Sequence, residues 1–321
     1  MKILGIGNAL VDVMIQLESD DFLTQSFLPK GSMQLVDKNT SDKIFDSSAK
    51  LKKQITSGGS AANTIHGLAR LGIPVGYIGK VGKDELGNFF VNDMKSSGIN
   101  PHIIYSKKDS GKALALVSPD GERTFATFLG AAIELSADEL TPELFEGYSC
   151  LHIEGYLLHN YTLIENAIKL AKQNGLTVSL DFSSYNIVEQ HKDFLEKLIP
   201  DFVDILFANE EESYAYTGLH PEEAVAELGK ITEVAIVKIG AKGSLIHKNG
   251  STIKINTMKS KCIDTTGAGD IYASGFLYGY FNNYSLERCG EIASLLAGNV
   301  IKNIGAKIPE NIWKELLIKV K

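Results

Sequence analysis

Short apolar runs recur along the chain and are separated by longer stretches with helical spacing, and this alternation is the first guide to the fold. Residues 150–154, 177–181, 204–208 and 234–238 read as four such strands, with helical segments between successive pairs. Strand and helix alternating at this spacing imply right-handed βαβ crossovers and a mainly parallel sheet covered on both faces. Residues 2–7 read as a first, central strand, and 75–79 as another, followed by a turn at 79–84 and a helix over 84–97. In sheets of this kind ligands bind beyond the carboxyl ends of the strands.

Two β-rich interruptions break the alternation. In the first, residues 13–17 and 32–36 flank a polar and aromatic segment and are expected to form a small antiparallel flap. The second is a hairpin, 113–118 with 123–128, around Pro119-Asp120-Gly121-Glu122, whose Asp-Gly step is a strong turn signal. The two pieces are expected to complete one small sheet, built from insertions at about 12–38 and 102–130 into a single domain spanning 1–321. A helical segment is expected just before Ser57, and a last core helix over 286–302 ahead of a short tail.

Composition narrows the function classes. The chain has 321 residues, 44% hydrophobic and 22% charged, which is ordinary for a globular protein with a full core. A formal net charge of -7 argues against a nucleic-acid or anionic-membrane surface, either of which favours a basic face. The three cysteines, Cys150, Cys262 and Cys289, lie far apart, so neither a disulfide framework nor a CxxC metal site is indicated. The apolar run at residues 1–7 is too short for a signal peptide, and a cytoplasmic protein is expected.

The chemistry concentrates in Asp264-Thr265-Thr266-Gly267-Ala268-Gly269-Asp270, followed by the apolar run 271–280. Two glycines around an alanine permit a tight turn, and the run after them reads as a helix whose first free N–H groups point back into it, forming an anion cradle. A carboxylate at the mouth of an anion cradle repels phosphate, so Asp270 is better explained as a base than as a binding group. The alternative is a loop end with Asp270 as a helix cap, the more common fate of an isolated Gly-x-Gly-Asp. A second glycine turn opens a helix at Gly58-Gly59-Ser60-Ala61-Ala62-Asn63. Close helix-strand packing would account for its small residues but does not require Asn63.

Asp12 reads either as a strand-edge carboxylate or as an acceptor of hydrogen bonds from a polyol. Asn209 and Glu212 stand three apart at a helix start and can share one face, where they could hold a hydrated Mg²⁺ through water. Lys238-Ile239-Gly240-Ala241-Lys242-Gly243 is a turn between strands, suited to pass close to a nucleotide. Arg123 is either a solvated edge charge or a cation that reaches phosphate when a flap closes.

Taken together, Gly58-Gly59-Ser60-Ala61-Ala62-Asn63 and the 264–270 stretch resemble, in order and separation, the two signatures of the PfkB (ribokinase-like) carbohydrate kinases. Gly7-Asn8 with Asp12, Asn209-x-x-Glu212 and Lys238-x-Gly240-x-x-Gly243 extend the match along the chain. Gly121-Glu122-Arg123-Thr124 and Asn8-Ala9-Leu10-Val11-Asp12 resemble the adenosine-kinase branch, whereas Ala61-Ala62 and Thr266 depart from the animal adenosine kinases.

The resemblance implies an α/β fold, a ribokinase-like three-layer core with a β-sheet lid. It implies ATP and Mg²⁺ as co-substrates and phosphorylation of a primary hydroxyl on a nucleoside or sugar. On the same basis Asp270 is the general base, and the N–H groups of Gly267, Ala268 and Gly269 bind the developing phosphoryl charge. Asp12, Gly58, Gly59 and Asn63 hold the acceptor, and Arg123 is the lid cation. Asn209, Lys238, Gly240, Gly243 and Thr265, with Gly267 and Gly269, line the ATP site, and Asn209 and Glu212 organise Mg²⁺. Part of the family has a K⁺ site, which leaves one open here near Asp264 and Thr266. The expected partners are a small-molecule acceptor and ATP, with no nucleic acid or membrane, in a monomer or a homodimer through the lid.

Two sugar-kinase readings, ribokinase-like or fructokinase-like, compete with the nucleoside. A non-catalytic binding protein on the same scaffold would keep Asp12 and Asn63 but have no need of Asp270 with Gly267 and Gly269. A nicotinamide oxidoreductase fits the alternation, yet the third glycine of GxGxxG would fall at Leu10.

Overall fold

The computed structural model describes residues 1–258 and 260–320. From the N-terminus the elements are β1 (Ile3–Ile6), β2 (Leu10–Gln16), α1 (Asp21–Gln25), β3 (Met33–Leu35), α2 (Lys38–Ser47), β4 (Lys53–Gly58), α3 (Ser60–Arg70) and β5 (Val75–Gly82). Then come α4 (Glu85–Ser96), β6 (Ile99–Ser106), β7 (Gly111–Val117), β8 (Arg123–Phe128), β9 (Cys150–Glu154), α5 (Tyr161–Gln173), β10 (Thr177–Asp181) and α6 (Tyr185–Phe202). The last are β11 (Ile205–Asn209), α7 (Glu210–Thr217), α8 (Pro221–Leu228), β12 (Val234–Lys238), β13 (Ser244–Lys248), β14 (Ser251–Ile255), α9 (Ala268–Phe281), α10 (Leu286–Val300) and α11 (Glu310–Lys319).

Nine strands form the main sheet in the order β14-β13-β12-β11-β10-β9-β1-β5-β6. Every pair from β6 to β12 is parallel, and β13 and β14 add an antiparallel edge. The central strands are apolar on both faces, because both are covered. Cys150, Ile205, Phe207, Val234 and Ile236 face a core shared with α3, α4, α9 and α10. Leu151, Ile153, Leu206, Ala235 and Val237 face the opposite layer, which includes residues of α5, α6 and α8. This is the expected three-layer, ribokinase-like α/β architecture.

The second sheet has the order β3-β8-β7-β2-β4. Its β7–β8 hairpin is antiparallel as expected, but the antiparallel flap of 13–17 with 32–36 does not form. Instead β2 runs parallel to β7 and antiparallel to β4, while β3 joins the far side of β8 in parallel. The helix expected before Ser57 is α2, and between them lies an unforeseen strand, β4. The first insertion therefore reaches Gly58, and residues 102–106 belong to β6 of the main sheet. Strand β5 also runs through Gly82, where a turn was expected.

Alternation along β2 gives the second sheet two unlike faces. Val11, Val13, Ile15, Leu114, Leu116 and Ala126 enter the same buried cluster as Ile3 and Val75 of the main sheet. Asp12 and Met14 lie on the opposite, half-buried face, with Ala113 and Ala115 of β7 and Phe125 and Thr127 of β8 beside them by register. Among the described residues no helix is long and apolar enough to cross a membrane.

Candidate active site

The carboxyl ends of β1, β9, β10, β11 and β12 bring Asn8, Glu154, Asp181, Asn209 and Lys238 to one edge of the main sheet. Helix α9 starts above that edge. It is apolar around most of its circumference, with Ile271 to Leu277 buried, because it is packed between α3 and α10. Gly267 precedes it at φ 72°, a left-handed conformation, and a Cβ there would overlap Ala306, so glycine is required on two counts. The Ala268 N–H donates to the Thr265 carbonyl at 3.1 Å. Of the three amides assigned to the cradle, those of Gly267 and Gly269 therefore remain to face an anion.

Asp270 stands in the first turn of α9 and meets the first turn of α3. Its carboxylate accepts from Ser60 Oγ at 2.7 Å and from Asn63 Nδ2 at 2.9 Å, and Thr64 Oγ1 donates to its carbonyl at 3.1 Å. Burial pushes the Asp270 carboxyl up to about 6, against the two donors, which favour the anion. Asn63 is buried and its Oδ1 has no partner among the described residues. Gly59 caps α3 at φ 102°, and a Cβ there would overlap the Asn8 carbonyl. Gly58 has a different role: its hydrogen leaves room for the Asp12 carboxylate across the β2–β4 pair. Burial raises the Asp12 carboxyl to about 7, with Lys307 acting to lower it and Asp270 to raise it further.

Two glycine turns, each opening a helix, thus converge on one carboxylate that two side chains orient. The chain matches the pfkB family carbohydrate kinase over residues 36–313. It belongs to that family. Adenosine kinase 2 of Arabidopsis thaliana is 27% identical, with 96% of this chain and 96% of that protein covered. The 5-dehydro-2-deoxygluconokinase of Clostridium perfringens is 30% identical, with 90% of each covered. Among solved structures, adenosine kinase from Sinorhizobium meliloti superposes with a TM-score of 0.88 at 30% identity, covering 100% of this chain and 99% of that one. The protein is a phosphotransferase, a nucleoside or sugar kinase of the pfkB family.

In this pfkB-family kinase a charged cluster lies next to the cradle. Lys238 pairs with Asp181 at 2.8 Å, and its ammonium would sit 3.1 Å from a Cβ at Gly269, so a side chain there would crowd it. The Gly240–Gly243 turn follows Lys238 at the same edge. Glu212 and Asn209 form a capping box at α7: Asn209 N and Nδ2 each donate to the carboxylate at 2.8 Å, and Glu212 N donates to Asn209 Oδ1 at 2.8 Å. Burial raises the Glu212 carboxyl to about 7, opposed by Lys238.

Asp181, Glu212 and Asp270 all act electrostatically on the single ammonium of Lys238, and their excess of negative charge suits a divalent cation. Among the described residues no group of three acidic, histidine or cysteine side chains could grip a metal directly. Both Glu212 oxygens already serve Asn209. A Mg²⁺ ion here would therefore have to be held through water.

Arg123 crosses from β8 to the loop before the glycine turn. Its Nη1 donates to Thr266 Oγ1 at 2.5 Å and pairs with the Asp264 carboxylate. Asp264 also accepts from Thr266 N at 2.6 Å and Gly305 N at 2.5 Å. Burial works to raise its carboxyl, and these donors outweigh it, holding the group below the usual carboxylate range. The side chains considered for K⁺ thus already carry the protein's own guanidinium and fit a second cation poorly.

Three residues of the site escaped the sequence reading. Asp181 and Glu154 each end an apolar strand, a position that could have marked them. Glu154 accepts from Asn8 N, Asn8 Nδ2 and Ala61 N, each at 2.8 Å, and so ties the β1 loop to the start of α3. Lys307 carried no sequence signal, because its partners lie more than two hundred residues away.

Proposed function

We propose that this kinase transfers the γ-phosphoryl group of ATP to the 5′ hydroxymethyl of a nucleoside of the adenosine type. The observation that carries the chemistry is Asp270, oriented by Ser60 and Asn63 at the head of the glycine turn. In the ionised form it takes the proton of the acceptor hydroxyl as the hydroxyl oxygen bonds to the γ-phosphorus and the bond to the β-phosphate oxygen breaks. The amides of Gly267 and Gly269 bind charge that develops on the transferred group, and Lys238 lies beside them. Asn209 and Glu212 would hold Mg²⁺ through water, and the ion would supply charge neutralisation on the phosphates. Asp12 and the free Oδ1 of Asn63 accept from vicinal hydroxyls of the acceptor. The second sheet acts as the lid, with Arg123 as its cation.

The register of the second sheet favours a nucleoside over a free sugar. Met14, Ala115, Phe125 and Met33 form one cross-strand row, and Asp12, Ala113, Thr127 and Leu35 the next, all on the face that carries Asp12. Met33 and Leu35 are 57% and 68% exposed, so this apolar strip lies open where a purine could stack on it. Phe128, expected in the same wall, falls on the other face, in register with Lys112.

The test is ADP release with ATP and Mg²⁺ across adenosine, inosine, guanosine, ribose, fructose and fructose 6-phosphate, with and without K⁺. The highest kcat/KM is expected on adenosine. A higher value on a free sugar than on every nucleoside overturns the acceptor. No acceptor-dependent release on any of them would favour a binding protein.

A further inference from the structure

The segment after α10 runs from the loop before the second glycine turn to the strand before the first. Gly305 N holds Asp264, Ala306 packs where Gly267 lacks a side chain, and Lys307 reaches the strand behind the first glycine turn. There the Lys307 ammonium donates to Ser57 Oγ at 2.8 Å and to Asp93 Oδ2 of α4 at 2.7 Å. The same Asp93 oxygen accepts from Ser57 Oγ at 2.5 Å and Ser57 N at 3.1 Å. Ser57 precedes Gly58-Gly59 and faces Val11 in the β2–β4 register, one position from the Asp12–Thr56 pair. Three chain segments distant in sequence are thus joined by one cation next to the acceptor end of the site.

We propose that Lys307 is a positioning residue for acceptor binding: it fixes the β4 strand that ends in Gly58-Gly59, and it supplies the positive charge that keeps Asp12 an acceptor of hydroxyl hydrogens. The proposal rests on the reading of Asp12 as an acceptor-binding group given above. The need for a cation follows from the surroundings. The Asp12 carboxylate lies against Gly58, next to the Ser57 that Lys307 holds, and of the charged groups acting on it Asp270 is negative and Lys307 alone is positive. Two carboxylates so placed disfavour each other's ionised forms, and a neutral Asp12 would present a donor where the ionised group presents only acceptors. His66 of α3, also near Lys307, is held neutral, its imidazole pushed down to about 3 by burial, and gives Asp12 no charge in its place. Asp93 is satisfied by Lys307 and Ser57 together, so the ammonium is anchored by one carboxylate while acting on the other.

The experiment compares Lys307→Met and Lys307→Arg with the wild type over pH 5.5 to 9. In Lys307→Met the Asp12 midpoint is expected to rise by about one pH unit, the scale of a lost neighbouring charge. Acceptor affinity, measured by calorimetry, then falls at every pH through loss of the β4 anchor, and about tenfold further at the acid end than at the alkaline end, with kcat within about twofold. Lys307→Arg keeps the charge and is expected to retain the wild-type profile. A loss of affinity equal at every pH, or one that Arg fails to restore, would make Lys307 merely structural and overturn the proposal. Affinity unchanged in Lys307→Met throughout does the same. The Asp12 titration is also followed by ¹³C NMR of the carboxyl, assigned with Asp12→Asn, which requires no acceptor. If no acceptor of the panel is turned over, the functional reading fails, and an unshifted Asp12 midpoint in Lys307→Met separately refutes the electrostatic role.

Discussion

Asp270 combines two demands that oppose each other. A base must be ionised, yet its recess disfavours charge and lifts the carboxyl to about 6 from the ordinary 3.8. On the proposed role as base the ionised form is the active one, and kcat should fall as the pH drops through about 6. Asp270→Asn should fold, bind acceptor and lose about two to four orders of magnitude in kcat, the scale of a general base. Turnover near that of wild type in this variant would remove Asp270 from the mechanism. The same shift bears on stability. A carboxyl that binds its proton more tightly in the folded state makes the fold less stable as the pH rises from about 4 to about 6. Asp270→Asn is therefore expected to melt above wild type at pH 8, with the gap closing toward pH 4, as thermal melts at the two pH values would register.

At the scale of elements, the join between β8 and the 264–266 loop is the contact most exposed to the catalytic cycle. Arg123 bridges them through Thr266 and Asp264, so its loss removes one tie between the second sheet and the loop that leads into the second glycine turn. Arg123→Ala should lower kcat more than it raises the acceptor KM, because the guanidinium acts in the closed state. A change confined to acceptor KM would identify Arg123 as a binding residue instead, and unchanged kinetics would leave it a structural bridge between β8 and the loop.

This scale also marks where the sequence is legible. Strands β9 to β12 are continuous apolar runs between helices, a pattern set by burial on both faces, and their positions follow from it. The glycine turns are equally plain, since the chain can follow them only where side chains are small. Pairing in the second sheet was not legible: alternation along β2 fixes which face Asp12 occupies, but says nothing about whether its neighbour is β3, β4 or β7. Those partners are chosen by contacts across 40 to 100 residues, as in Met14 with Gln54 and with Ala115. Lys307 is the same problem in a single side chain.

For the molecule as a whole, the two sheets share one buried cluster, to which β2, β7 and β8 contribute from one and β1, β5 and β11 from the other. Separate unfolding of the second sheet would expose the inner face of the first. Calorimetry should accordingly show one transition, with a van't Hoff enthalpy equal to the calorimetric one, as expected of a single domain over 1–321. Two resolved transitions would instead mark the second sheet as an independently melting unit.

The path of the segment 305–307 carries a consequence for how the protein is made. A chain leaving the ribosome presents β1 to β12 first, and with them Asp12 and Asn63 of the proposed acceptor site. Asp270 and the proposed phosphate turn arrive only after all fourteen strands of the described residues, and the residues that brace the site, Gly305 against Asp264 and Lys307 against Ser57 and Asp93, come later still. A chain truncated ahead of Gly305 is therefore expected to keep Asp270 but lose the braces on both glycine turns, binding acceptor weakly and transferring nothing. Synthesis itself keeps the proposed site unfinished until residue 307 has been added.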